Sequence, residues 1–273
     1  MRSPTPILGA VAAIVIAAGV QSAPVPATCP VSHEGQISAN ATKELFVSSS
    51  SSPFNPKYVL GQNLTWDTVQ GTKAISLRLD DKSVFRSGSE GVETKLRRAE
   101  LLVNKKDPTV SGHKSWHLSF RTDPSHPLNY THEYILAFHE AQNFQADFWS
   151  IKTGDFLEST NPQPRKTTLF EVPLTDGEWH NFGIELNFPQ NLISVYYSTC
   201  DNPLELVVPP THVQQHLGNP ADNPRGDPGL QKRPTDSNIN DFLFNGTQPS
   251  GINEAFIFGG IFQDDSVDGC VSL

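Results

Sequence analysis

The sequence predicts an all-β fold, a β-sandwich of jelly-roll type spanning residues 54–273. Two observations carry that expectation. Apolar and polar residues alternate with a period of two along one run after another, and clusters of Pro, Gly, Asn and Asp separate the runs. A third observation supports them: no long segment repeats its apolar residues at helical spacing. Ile75, Leu77 and Leu79 alternate with Ser76, Arg78 and Asp80. Trp116, Leu118 and Phe120 alternate with His117, Ser119 and Arg121. Phe182, Ile184, Leu186 and Phe188 form a third such row, and Ile193, Val195 and Tyr197 a fourth. Each reads as a strand with one buried face and one wetter face. Thr122-Asp123-Pro124-Ser125 and Thr175-Asp176-Gly177 are turn formers between them. Residues 209–240 hold many Pro, Asn, Asp and Gly and few apolar residues, and are predicted as one long irregular loop.

Ahead of the domain, Arg2, the apolar run 7–20 and Val20-Gln21-Ser22 together form a secretory signal pattern over residues 1–22. The run is short for a bilayer span. Residues 23–53 read as a Pro/Ser-rich leader. The expected product is an extracellular monomer with no membrane attachment. The net charge of −9 argues against nucleic acid as a partner. Secretion gives the three cysteines a meaning: Cys29, Cys200 and Cys270 allow three pairings, and Cys200–Cys270 is preferred because it would tie the C-terminal tail to the sheet. Asn40, Asn63, Asn129 and Asn245 each begin a glycosylation sequon.

The stretch Lys95 to Val103 carries the first candidate chemistry. As a strand it puts Arg98, Glu100 and Leu102 on one face, and Arg97, Ala99, Leu101 and Val103 on the other. A cation two residues away favours an ionised carboxylate, which suits a base or nucleophile, although a plain surface ion pair has the same pattern. The stretch His132 to Glu140 carries the second. Alternation places Tyr134, Leu136, Phe138 and Glu140 on one face, so Glu140 closes an apolar row that would suit a general acid. His132 and His139 match no zinc spacing, and no metal is expected. The four tryptophans are core or sugar-stacking candidates, and Trp149 is the one placed to follow the Glu140 strand. No phosphate loop and no Gly-x-Ser-x-Gly elbow is present, and no cofactor is expected.

Arg97-Arg98-Ala99-Glu100-Leu101, then Asn129 to Tyr134 running into Phe138-His139-Glu140, then Trp179-His180-Asn181-Phe182, then Phe256 to Ser266 resemble fungal glycoside hydrolase family 131. The resemblance covers most of residues 54–273. It implies a β-jelly-roll and a broad-specificity β-glucanase acting on β-1,3, β-1,6 and β-1,4 linkages, with Glu100 and Glu140 as the catalytic pair. Arg98, Tyr134, His139 and Trp149 are the expected sugar contacts. One departure stands out: Leu243 takes the place where a histidine often stands in the family's segment after the long loop. Two other readings fit a sandwich of this kind. One is a polysaccharide lyase, in which Arg98, His139 and Tyr134 would serve proton abstraction. The other is a non-catalytic carbohydrate-binding wall protein.

Overall fold

The computed structural model describes residues 29–38, 40–41, 66–69, 72–88, 91–101, 111–140, 147–157, 167–213, 226–238, 240–266 and 270–272. The expected signal segment, most of the expected leader and Asn63 lie outside them. The strands run β1 (Val31–Glu34), β2 (Ile37–Ser38), β3 (Trp66–Val69), β4 (Thr72–Asp80), β5 (Val84–Ser87), β6 (Val92–Glu100) and β7 (His113–Thr122). They continue as β8 (Glu133–Glu140), β9 (Asp147–Gly154), β10 (His180–Asn187), β11 (Leu192–Thr199), β12 (Glu205–His212), β13 (Gly226–Lys232) and β14 (Asn253–Asp265). Among the described residues there is no helix.

Two antiparallel sheets face one another. The larger follows the order β12-β11-β10-β7-β14-β4-β2, with β1 added on β14 and β3 on β4; the smaller follows β5-β6-β13-β8-β9. The period-two rows are what lie between them. Leu77 and Leu79 of β4, Leu118 and Phe120 of β7, Phe182 of β10, and Phe256 and Phe258 of β14 meet Ala99, Leu101, Leu136 and Leu230 of the smaller sheet. Phe120 is a hub of this layer, its ring centroid 5.4 Å from those of Phe182 and Phe256. Burying a phenylalanine here contributes roughly 1.5–3 kcal/mol. The β10–β7 register sets Phe182 beside Leu118 and Ile184 beside Trp116, so cross-strand neighbours share the buried face.

Three expectations are corrected by this topology. Residues 209–240 are not one irregular loop: β12 ends at His212 and β13 occupies 226–232 in the middle of the smaller sheet. Pro209 and Pro210 fit a strand because β12 is a sheet edge, where a missing N–H is tolerated. The domain also begins earlier than residue 54. β1 and β2, within the expected leader, pair with β14 and β4. Finally, Cys270 pairs with Cys29 rather than with Cys200, at a Cα–Cα distance of 5.8 Å. The cause is the β1–β14 pairing: it sets Val31 opposite Asp264 and lets the Asp265 N–H donate to Pro30 O at 2.8 Å, so the flanking cysteines meet. Cys200 is an exposed thiol in the turn after β11, with φ 53°.

The interior also holds polar groups. Between the sheets, Lys232 Nζ donates to Glu254 Oε1 at 2.5 Å and the Tyr134 hydroxyl donates to Glu254 Oε2 at 2.7 Å. Burial pushes the Lys232 ammonium below its ordinary range, and Glu254 acts against that. His180 accepts the Thr175 N–H on Nε2 at 3.2 Å, so Nδ1 carries the proton and donates to the Tyr197 hydroxyl at 2.8 Å. Burial lowers the pKa of His180 and of His132 from the ordinary 6.5. The unfolded chain therefore takes up these protons first as pH falls. The stability the two groups contribute is complete above about 6.5 and is lost as pH drops from there towards their folded values. The expected result is a melting temperature that falls between pH 7 and 5, less steeply in His180→Gln. Thermal unfolding followed across that range, with equal slopes in both proteins, would contradict it.

Candidate active site

β6 realises its predicted alternation. Ala99 and Leu101 enter the core, and Arg98 and Glu100 take the opposite face of the smaller sheet. Glu100 is only 1% exposed. An ionised carboxylate at that burial requires compensation. Gln231 Nε2 donates to its Oε1 at 2.5 Å, and the Arg98 guanidinium pairs with its Oε2. The Arg98 guanidinium lies 4.7 Å from the centre of the Phe85 ring, and the Arg98 backbone N–H donates to Ser83 O at 2.8 Å. Across the ladder Glu100 pairs with Gly229. A Cβ at Gly229 would stand 2.6 Å from Glu100 Cγ and 3.0 Å from Ala99 O. Glycine at 229 thus leaves the space through which the carboxylate reaches Gln231.

Glu140 ends β8, paired with Asp147 of β9. β13 lies between β6 and β8, so the two glutamates stand on next-but-one strands of one sheet. A bulge between Ile135 and Ala137 decides which residues share a face. Before it Tyr134 and Leu136 point inward; after it Ala137 and His139 do. The ladder shifts register again between His139 and Glu140, and Glu140 stands at the end of β8 on the same sheet as Glu100. The registers place Glu100 level with the bulge, since Gly229 falls between the Pro228↔Ala137 and Gln231↔Ile135 pairs. Two strand spacings across and three to four residues along give a Cα separation of roughly 15 Å.

The other expected contacts separate in the same way. Arg98 stays with Glu100. Tyr134 is fully buried and bonded to Glu254 between the sheets. His139, also fully buried, is stacked near Trp149 with ring centroids 6.4 Å apart and faces Phe188 in the turn after β10. Trp149 packs onto both core clusters. For these three the expectation of a sugar contact gives way to a packing role. The physical reason is the bulge, which breaks the single face that unbroken alternation assigns to Tyr134, Leu136, Phe138 and Glu140. Leu243 lies beside the start of β6, its carbonyl accepting the Lys95 N–H at 2.7 Å, five residues from Glu100. Sequence reasoning missed Gln231 and Gly229, because Gly226-Asp227-Pro228-Gly229 has the composition of a turn. It also missed the pairing of Glu133 with Lys152 Nζ at 2.6 Å and Arg233 Nη1 at 3.0 Å on this face. A Glu alternating with Ile135 on the polar side of β8 was the available signal.

An antiparallel sandwich presenting a buried, arginine-paired glutamate on one sheet, with a second glutamate position two strands away, has the arrangement of a carbohydrate-cleaving domain that works with two carboxyl groups. The chain belongs to glycoside hydrolase family 131: the Glycoside hydrolase 131 catalytic N-terminal domain matches residues 31–269, and the protein is a glycoside hydrolase. It is similar to the catalytic domain of the glycoside hydrolase family 131 protein from Coprinopsis cinerea, with 17% identity, TM-score 0.62, and coverage of 86% of this chain and 94% of that one. It is also similar to a GH131 beta-glucanase catalytic domain from Podospora anserina, with 18% identity, TM-score 0.54, and coverage of 87% and 85%. At these identities the two structures support the fold. No curated protein matches the chain.

Proposed function

We infer that this protein is a secreted β-glucanase in which Glu100 and Glu140 are the catalytic carboxyl pair and Arg98 holds Glu100 for its task. The observation that carries the reading is the buried Glu100, paired with Arg98 and Gln231 on the sheet whose strand β8 ends in Glu140, inside a family match that includes both. The N-terminal apolar run supports secretion, as do a disulfide between Cys29 and Cys270 and exposed sequon asparagines at 40, 129 and 245. Incubation with laminarin, mixed-linkage β-glucan and alginate tests the substrate class. Reducing sugar from the glucans supports the reading. Absorbance from an unsaturated uronate, or retention on glucan without products, would replace it with a lyase or a binder.

The spacing bears on stereochemistry. Inverting glycosidases hold their carboxyl groups roughly 6.5–9.5 Å apart to admit a water, and retaining ones about 5–5.5 Å. Backbones about 15 Å apart favour the wider arrangement. Glu100 then serves as the base that activates water and Glu140 as the acid that protonates the leaving oxygen. The first-formed product of a β-glucan is expected to be the α-anomer. Proton NMR during the first minutes of reaction checks this, and a newly released β-anomer would overturn it.

A further inference from the structure

Glu133 lies on the sheet face that carries Glu100 and is fully buried. Its Oε1 accepts a hydrogen bond from Lys152 Nζ and is ion-paired with Arg233 Nη1, and its Oε2 accepts the Leu157 N–H at 2.7 Å. The Arg233 guanidinium in turn lies 4.1 Å from the centre of the Phe242 ring. The turn holding Phe242 is docked on β6 by the Leu243 carbonyl, and the Gln248 side chain donates to Lys95 O at 2.9 Å and to Lys232 O at 3.2 Å. One carboxylate thereby fixes two surface segments, 155–157 and 241–244. Each segment presents a phenylalanine to solvent: Phe156 is 56% exposed and Phe244 55%, the highest values among the exposed large hydrophobics of the described residues.

We propose that Phe156 and Phe244 are stacking platforms for sugar units of a bound β-glucan remote from the cleaved bond, with Glu133 as the residue that positions both. The inference rests on the β-glucan reading above and extends it to the end of the smaller sheet where Glu133 stands. The ligand chemistry follows from the residues. A phenylalanine ring offers an apolar face and no hydrogen-bonding group, which suits the C–H face of a pyranose. The Lys152 and Arg233 cations at this end are engaged with Glu133, and the charge that the two segments themselves carry is that of Asp155 and Asp241, which disfavours an anionic chain. An uncharged chain long enough to run from Glu100 to this end fits both facts.

The test is a ladder of β-gluco-oligosaccharides from two to six units, titrated calorimetrically into the Glu100→Gln protein with and without a further Phe156→Ala or Phe244→Ala substitution. Each phenylalanine substitution is expected to weaken hexasaccharide binding about three- to tenfold and to leave the disaccharide unchanged. Melting temperature should not move, since both side chains are exposed. Glu133→Gln should reproduce the length-dependent loss of both; a role in stability alone would lower the melting temperature and leave the dependence on length as it was. Hexasaccharide affinities equal to the parent, or a loss equal at every length, would overturn the inference. If the unsubstituted chain cleaves β-glucan while the ladder is indifferent to both phenylalanines, only this inference fails. If it neither binds nor cleaves any β-glucan, the reading beneath it fails.

Discussion

Glu100→Gln is expected to reduce β-glucan turnover at least about a hundredfold, a loss of roughly 3 kcal/mol of transition-state stabilisation. The substitution keeps the side chain's length and a hydrogen-bonding oxygen for Gln231, and it removes the ionisable group. A base acts only once the reaction is under way, so the fall should appear in kcat with KM little changed. The substitution also strips Arg98 of its partner in a half-buried site, and a stability loss of a few kcal/mol is expected with it. Circular dichroism and a melting curve at assay temperature separate that loss from chemistry. Glu140→Gln should match it in turnover if the two groups act as a pair. Near-normal turnover in either folded variant removes that residue from the site.

The second large effect is on stability. The Cys29–Cys270 bond closes 241 residues of chain. In the loop-entropy account that length removes about 5 kcal/mol of disorder from the unfolded state, an upper figure because residual structure in that state lessens it. For a domain of this size each kcal/mol shifts the melting temperature by about 2–4 °C, so Cys29→Ser should melt roughly 10–20 °C lower. The loss has a structural route as well: β1 pairs with β14, and the bond holds the N-terminal strand on the sheet. Cys200→Ser, which alters an exposed turn, should melt with the unsubstituted protein. Equal melting temperatures for Cys29→Ser and the unsubstituted chain would remove the bond from the account of stability.

Much of the architecture was legible because its cause is local. A period of two in rows such as Trp116, Leu118 and Phe120 is the direct imprint of a strand with one buried face, and the structure buries those faces. The Arg98–Glu100 face was legible for the same reason, since β6 keeps its alternation from Ala99 to Leu101. β13 was not. Its composition is that of a turn because each residue answers a distant partner. Gly229 makes room for Glu100, Gln231 binds that carboxylate, Pro228 sits at a register shift, and Lys232 enters the interior to meet Glu254. A local pattern carries no trace of such partners, and a central strand therefore reads as loop.

The same division runs through the site and the disulfide. The sequence by itself determined that this is a two-faced β protein, that its cysteines number three, and that Glu100 shares a strand face with Arg98, because side-chain alternation and composition are properties of the chain alone. Tertiary structure decided that β13 separates Glu100 from Glu140, and that Tyr134, His139 and Trp149 turn inward. It also decided that Cys270 meets Cys29. Those outcomes depend on strand order and on register shifts within β8 and β9, and both are set by which distant segments pair. A one-residue shift in a strand moves every following side chain to the other face.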